Sequence, residues 1–175
     1  MIRILVGAAV AASLVAPPLV AQMPTPRPED VATIDAIIKA FYDVISGPAG
    51  APRQWQRDST LYIPGVRFVS MSVRQGRPVA QVSDHGQYVA NTNDGMVRNG
   101  FIERELHRVT RRFGNIAHVF SAYEFRATEN GPVQGRGVNS IQLFWDGNRW
   151  WIANATWDGE RPDNPIPPEL LPQRR

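Results

Sequence analysis

The sequence predicts an α+β fold in which N-terminal helices precede an antiparallel meander of long strands. Apolar residues recur every three or four positions near the N-terminus, and long stretches of alternating residues fill the C-terminal half. Two dipeptides typical of tight hairpin turns, Gly114-Asn115 and Asp146-Gly147, separate those stretches. The chain of 175 residues, 43% hydrophobic and 20% charged, suits one domain with short extensions.

Residues 1–21 have the layout of a secretory signal peptide. Arg3 precedes an apolar run from Ile4 to about Val15, and small residues and two prolines lead to Ala21. The run is too short to cross a bilayer of roughly 30 Å as a helix. The order of these parts predicts cleavage after Ala21 and a periplasmic or secreted protein, with an uncleaved anchor as the alternative. No second apolar run follows, so we expect no stable membrane insertion after cleavage.

Residues 22–29 form a proline-rich linker, and residues 30–160 are predicted to form the folded domain. The stretch VATIDAIIKAFYDVIS predicts an amphipathic helix that begins at Glu29 or Asp30 and ends at Gly47-Pro48. A short helix over 52–60, a turn over Leu61–Pro64, a strand over Val66–Val73 and a helix over Gln87–Val97 follow. Ser83-Asp84 resembles the N-cap of that last helix.

The C-terminal half predicts a meander of four strands joined by short turns. They cover Phe101–Arg112, Ile116–Arg126, Gly135–Trp145 and Arg149–Trp157. Residues 161–175 are rich in proline, so we expect an extended tail on the surface. Alternation along the last strand sends Trp150 and Trp151 to opposite faces, which leaves Trp157 as a candidate for the wall of a pocket.

Three segments, FGNIAHVFSAYE, GVNSIQLFWDGNRWWI and DNPIP, resemble an exported bacterial branch of the nuclear transport factor 2-like superfamily, whose relatives include SnoaL-like proteins. The resemblance runs from about Val31 to about Pro167. It implies a cone-shaped molecule, in which a curved antiparallel sheet wraps around N-terminal helices and its concave face forms a pocket. It also implies a homodimer formed through the outer sheet face. Members of the superfamily include isomerases, dehydratases, cyclases and small-ligand binders, so the fold alone does not assign a function.

Composition and motifs argue against several other functions. The net charge of +3 is small, and arginines alternate with glutamates along residues 103–112, as on a solvated strand face, so no nucleic-acid partner is expected. The absence of cysteine removes thiolate catalysis and cysteine metal sites. No HxH, HExxH or phosphate-binding loop is present, so neither a metal site nor a cofactor is expected.

Residues of the strand 116–126 divide into two faces. Ser121 and Tyr123 share one face with Ala117, and their small neighbours are typical of a pocket lining. His118 falls on the other face, near the expected dimer interface, unless a bulge reverses the alternation. A structural or interface role is therefore the favoured interpretation of His118, and ligand binding is the alternative.

Glu103 is a candidate ligand-binding residue that could also act as a base if its face of the sheet is concave, since burial of a carboxyl raises its pKa. It shares a predicted face with Phe101, Glu105 and His107. The favoured interpretation is a charge pair across the sheet with Arg104, Arg108 or Arg149. Asn139 and Gln142, like Ser140 between them, interrupt an apolar strand. They could orient a polar ligand group or satisfy backbone where the sheet bends.

The sequence therefore predicts a protein that binds a small, largely apolar molecule in a concave pocket and has no assigned catalytic residues. An isomerase or dehydratase using a pocket carboxylate or histidine is the alternative, and a module whose pocket is filled by its own side chains is the third. The candidate ligand-binding residues are Glu103, His118, Ser121, Tyr123, Asn139, Gln142 and Trp157.

Overall fold

The computed structural model describes residues 24–173 and has four helices and six strands within them. The predicted signal peptide lies outside the described residues. The helices are α1 (Pro28–Val31), α2 (Ile34–Asp43), α3 (Trp55–Asp58) and α4 (His85–Asn99). The strands are β1 (Tyr62–Arg74), β2 (Arg77–Ser83), β3 (Ile102–Phe113), β4 (Ile116–Arg126), β5 (Gly135–Trp145) and β6 (Trp150–Gly159).

All six strands form one curved sheet in the order β2-β1-β6-β5-β4-β3. The predicted α+β class with a curved sheet is confirmed, and the sheet is open rather than closed. Four of the five strand pairs are antiparallel, but β1 pairs with β6 in parallel, so the sheet is mixed where the sequence predicted an antiparallel one. This parallel pair joins the N-terminal half of the chain to the centre of the sheet.

The N-terminal helix of the sequence prediction is two helices in the structure. The Thr33 hydroxyl accepts a hydrogen bond from the Ala36 N–H at 3.0 Å, which caps α2 and separates it from α1. Helix α2 then buries Ile37 and Ile38 completely against the concave face of the sheet. The apolar stripe read from the sequence is thus the face that fills the interior of the fold.

The segment between the first helices and α4 contains more strand than the sequence predicts. Strand β1 begins at Tyr62, directly after a 3₁₀ turn over Ser59–Leu61. The sequence had predicted a turn over Leu61–Pro64, most of which belongs to this strand. Strand β2 was not predicted. It is an edge strand with Pro78 near its start and mostly exposed side chains, so it lacks the alternating pattern of a half-buried strand.

Helix α4 extends the predicted helix by two residues at each end. Asp84 caps it, because its side chain accepts a hydrogen bond from the Gln87 N–H at 2.8 Å while the Gln87 side chain accepts one from the Asp84 N–H at 3.0 Å. The helix has no residue that is fully buried. It therefore covers the concave side of the sheet without being embedded in the core.

The hairpin between β5 and β6 explains the cluster of tryptophans. The Asp146 carboxylate accepts hydrogen bonds from the backbone N–H groups of Asn148 and Arg149 at 2.8 and 2.9 Å, and Gly147 has φ 101°. Trp150 lies in the core with 4% of its surface exposed. Trp151 lies on the opposite face, where its indole N–H donates to Asp146.

The C-terminal tail packs on the convex face of the sheet instead of lying fully exposed. Ile166 and Leu170 are 6% and 5% exposed and pack with Ala122, Leu106 and Val138. The convex face therefore has a small apolar cluster of its own, separate from the main core on the concave side. In the described part of the chain, no helix has the length and apolar character required to cross a membrane.

Candidate functional site

The concave side of the sheet holds a cavity of about 410 Å³ between α2, α4 and the strands. Gln81 of β2 and Asn91 of α4 are exposed and stand at its rim, so the cavity opens between these two elements. Its walls are mostly aromatic. The apolar and aromatic lining residues are Phe41, Ile45, Tyr62, Phe68, Tyr88, Met96, Phe101, Tyr123, Phe125 and Trp157.

Glu103 is the ionisable carboxyl group of the cavity lining. Burial raises its pKa to about 8, and an interaction with the Asn139 amide acts in the opposite direction. None of the ion pairs between described residues includes Glu103, so the predicted charge pair with a neighbouring arginine does not form. At neutral pH the Glu103 side chain is therefore largely protonated and able to donate a hydrogen bond.

Tyr123 stands on the same wall because its cross-strand partner is a glycine. Gly137 lies opposite Tyr123 in the β4–β5 pair, and a Cβ atom at Gly137 would lie 2.5 Å from the Tyr123 hydroxyl oxygen. Burial, together with the negative charge of nearby Glu103, raises the pKa of Tyr123 well above its usual range. Tyr123 therefore remains a protonated hydroxyl at any ordinary pH.

A second group of polar side chains lies behind the cavity floor, between α2 and the sheet. Tyr42 and Ser121 contact each other through their hydroxyl oxygens at 2.7 Å. Asn139 donates to the Tyr42 oxygen at 3.1 Å, and Ser121 donates to Glu105 at 2.6 Å. Glu105 in turn forms an ion pair with Arg108. These contacts connect Asn139 of the cavity lining to the ion pair on β3.

A third polar cluster lies beside the cavity, behind Tyr62. Asp58 is completely buried and accepts a hydrogen bond from the Tyr62 hydroxyl at 2.8 Å. Its other carboxylate oxygen lies 2.7 Å from Nε2 of His85, the first residue of α4. Tyr62 and Phe68 stand against the His85 ring, and His85 does not line the cavity. Asp58 and His85 therefore tie α4 to α3 and β1.

The structure brings together four of the seven candidate ligand-binding residues. Glu103, Tyr123, Asn139 and Trp157 line the cavity. Ser121 points to the same side of the sheet but lies one layer deeper, where it contacts Tyr42. These five residues come from four adjacent strands, β3 to β6, so their convergence follows from the order of the sheet.

His118 and Gln142 lie on the convex face and do not line the cavity, and for His118 this is the face that strand alternation predicted. They are cross-strand partners in the β4–β5 pair, whose register is unbroken. His118 Nε2 lies 2.9 Å from the Ser140 hydroxyl, and Gln142 is exposed. The alternation of β4 is maintained, so both side chains point away from the concave side.

A bulge in β3 changes the predicted face of His107. The register shifts between Glu105 and His107, so that Glu105 lies opposite Tyr123 and His107 lies opposite Ala122. Ala122 belongs to the convex cluster. Glu103 and Glu105 thus face the interior together, and His107 leaves the face that the sequence had assigned to it.

Sequence reasoning missed Tyr42, Asp58, Tyr62, Tyr88 and His85. Tyr42 falls within the helix pattern but outside the apolar stripe that was identified, although an aromatic hydroxyl on a buried helix was a usable signal. Asp58 and His85 are 27 positions apart, and no motif connects them. Within residues 24–173, no group of three or more histidine, aspartate or glutamate side chains is arranged to hold a metal ion.

Comparison with known proteins supports the fold and nothing finer. No family model matches the chain, and no curated protein matches it significantly. The β subunit of a putative aromatic-ring-hydroxylating dioxygenase from Novosphingobium aromaticivorans is 14% identical, with a TM-score of 0.57 over 74% of this chain and 88% of that one. A protein of unknown function with a cystatin-like fold from Nostoc punctiforme is 8% identical, with a TM-score of 0.57 over 74% and 90%.

A third solved structure, of a protein of unknown function from Mycobacterium tuberculosis, is 17% identical, with a TM-score of 0.53 over 73% of this chain and 70% of that one. The chain is thus an α+β protein whose curved mixed sheet holds a cavity on its concave side. That architecture is the nuclear transport factor 2-like fold that the sequence predicts. Identities this low establish the fold alone.

Proposed function

We propose that the protein binds a small, largely apolar molecule in its concave cavity. The observation that carries the proposal is the cavity itself, because about 410 Å³ of space remains unfilled by the protein's own side chains. Ligand pockets typically start at roughly 300 Å³ and combine apolar walls with a few convergent polar groups. Here aromatic rings form the walls, and Glu103, Tyr123 and Asn139 converge at one side.

Native mass spectrometry of protein purified from its own host tests whether a molecule is retained. A complementary test uses a neutral fluorescent aromatic ketone, 6-propionyl-2-dimethylaminonaphthalene, as a probe. Thr92 lines the cavity, so Thr92→Phe should fill part of it and weaken probe binding about tenfold or more. Arg98→Phe places the same ring on the exposed side of α4 and should leave the affinity unchanged. Equal affinities in both variants, with no retained molecule, would refute the proposal.

Proton transfer in the same cavity is the second candidate function, and one observation favours it. Glu103 has a pKa raised to about 8, within the range in which a side chain can both accept and release a proton near neutral pH. An isomerase-type reaction would use it as the base. Once a substrate is identified, Glu103→Gln should abolish turnover while the probe still binds. Undiminished turnover would remove Glu103 from the reaction.

Export and dimerisation are also part of the proposal. The layout of residues 1–21 supports export, and an N-terminal mass that begins after Ala21 in a periplasmic or culture fraction would test it. Phe120, Ile116 and Phe113 are 39%, 60% and 84% exposed, which supports an interface along β4 and the β3–β4 hairpin. Light scattering on the purified protein would test the dimer, and a monomer at all concentrations would contradict it.

A further inference from the structure

The polar chain behind the cavity floor has a fixed direction, and the direction follows from counting protons. Glu105 forms an ion pair with Arg108, and an ionised carboxylate can only accept hydrogen bonds. The Ser121 hydroxyl, 2.6 Å away, must therefore donate its single proton to Glu105. The same hydroxyl has then no proton left for Tyr42, so the 2.7 Å contact requires Tyr42 to donate to Ser121.

The orientation of the Asn139 amide follows from the same proton count. Since the Tyr42 hydroxyl donates its only hydrogen to the bond with Ser121, the Tyr42 oxygen can only accept in the 3.1 Å contact with Asn139. An amide offers a donor from its nitrogen and an acceptor from its oxygen, and the two are otherwise interchangeable in shape. The nitrogen of Asn139 must therefore face Tyr42. Its second N–H then remains available to Glu103, which lines the same cavity and interacts with the Asn139 side chain.

We infer that Glu105, Ser121 and Tyr42 are positioning residues, which hold the Asn139 amide with its N–H side toward Glu103. They act on the cavity without lining its polar wall. The inference deepens the proposed function, on which its relevance to a ligand rests, because it assigns the control of the cavity's polar side to residues outside the cavity. Burial makes the chain effective: Tyr42, Ser121 and Asn139 are 4%, 0% and 3% exposed, so water cannot substitute for a missing partner.

Breaking the chain should allow the amide to turn. In Ser121→Ala, Tyr42 regains a free proton and can donate it to the Asn139 oxygen. That oxygen would then also face Glu103, where it favours the protonated carboxyl over the carboxylate. The titration midpoint of Glu103 should therefore rise, although the substitution changes neither Glu103 nor Asn139.

Other groups around Glu103 do not complicate that titration. The ionisable side chains that face it are tyrosines from four different elements, and burial raises the pKa of each of them. They stay protonated while Glu103 titrates. These residues are Tyr42 of α2, Tyr62 of β1, Tyr88 of α4 and Tyr123 of β4. Asp58 and His85 lie behind Tyr62, and Glu105 with Arg108 lies beyond Ser121.

The experiment is a carbon-detected NMR titration of the glutamate carboxyl groups, with Glu103 assigned through Glu103→Gln. We expect the Glu103 midpoint to rise by about 0.5 to 1 pH unit in Ser121→Ala, corresponding to a threefold to tenfold change in proton affinity. Ser121→Thr retains the hydroxyl and should restore the wild-type midpoint. Tyr62→Phe is the matched control, since it removes a hydroxyl beside the cavity that bonds Asp58 instead of Asn139.

A Glu103 midpoint that stays at its wild-type value in folded Ser121→Ala would overturn the inference. If that variant does not fold, Glu105→Gln provides the second test. Its neutral amide can donate to the Ser121 hydroxyl, so Ser121 and Tyr42 no longer have to donate in the direction of residue 105. An unchanged midpoint there would also overturn the inference. The titration needs no ligand, so it can fail while probe binding succeeds, and the reverse can also occur.

Discussion

Asp58 and Glu103 are two acidic side chains in the interior of the same molecule, and their surroundings differ in one respect. Asp58 is fully buried, but both of its oxygens have a partner: the Tyr62 hydroxyl and the His85 ring. Glu103 faces a cavity, where the Asn139 amide lowers its pKa less than burial raises it, and the net effect raises the pKa to about 8. A buried carboxyl group whose two oxygens both have hydrogen-bond partners stabilises the fold. A carboxyl group beside an unfilled cavity lowers the free energy of unfolding when it is ionised, and it remains available to a ligand.

The largest expected effect comes from removing the matched acid. Asp58→Ala leaves the Tyr62 hydroxyl and the His85 ring without their partner, and should destabilise the protein by about 3–5 kcal/mol. Urea unfolding followed by circular dichroism measures the change. Asp43→Ala is the control, because Asp43 forms only a surface ion pair with Lys39 and should change stability by less than about 0.5 kcal/mol. Similar losses of unfolding free energy in both variants would show that Asp58 stabilises the fold no more than a surface acid does.

Replacing the unmatched acid should have the opposite sign. Because the pKa of Glu103 is raised from 4.5 to about 8 by folding, the folded protein keeps a proton that the unfolded chain releases between those values. Stability should therefore fall as pH rises through that window, by up to about 1.4 kcal/mol per pH unit. Glu103→Gln should remove this slope and be more stable than wild type by up to about 3 kcal/mol at pH 7.

Urea unfolding from pH 4.5 to pH 8 gives the slope directly. Glu129→Gln provides the control, since Glu129 is exposed and pairs with Arg104 on the surface. It should leave the dependence on pH as it is in wild type. A Glu103→Gln variant that retains the wild-type slope would mean that Glu103 keeps its charge when folded, and the contrast with Asp58 would disappear.

Removing one of the two partners of Asp58 should have an intermediate effect. His85→Ala leaves a buried carboxylate oxygen without its partner and should cost about 1–3 kcal/mol. It should also loosen α4, which has no fully buried residue to hold it in place. Hydrogen exchange along α4 and urea unfolding measure the two effects. His107→Ala changes an exposed histidine of β3 and should do neither.

The smallest effect is expected for Tyr62→Phe, which removes a single hydroxyl and keeps the ring in the cavity wall. The hydroxyl donates to Asp58, so its loss should cost about 1 kcal/mol of stability. Probe binding should be unchanged, since the hydroxyl points away from the cavity. Stability from urea unfolding and affinity from fluorescence separate the two outcomes. A large loss of affinity would show that Asp58 and the cavity are one functional unit.

The strands on the C-terminal side were predictable because each carries a strong local pattern. Strands β4 and β5 have the predicted bounds, and the turn at Asp146-Gly147 is where its residues require it. The concave face of β4 also follows from alternation, since no register shift interrupts its pairing with β5. Such features depend on neighbouring residues only.

Features that depend on distant residues were not predictable in the same way. The parallel pairing of β1 with β6 has no local signature, and β2 lacks alternation because most of its side chains are exposed. The bulge at Glu105 and His107 moved His107 to the other face, and nothing in the sequence marks its position. For the site, Glu103 could be singled out by its residue type, but its partners come from other strands and helices, whose packing only the structure supplies.

The parallel pair of β1 and β6 also affects the order in which the sheet folds. Phe68 of β1 lies beside Ala155 of β6, so this pair closes a loop that contains more than half of the strands. Pairs so distant along the chain form late, because the entropy of loop closure is lost before the contact is gained. The meander of β3 to β6 can assemble first, and the cavity forms only after β1 and α4 have packed against it. We therefore expect Phe68→Leu to accelerate unfolding with little change in the folding rate, which stopped-flow kinetics would show.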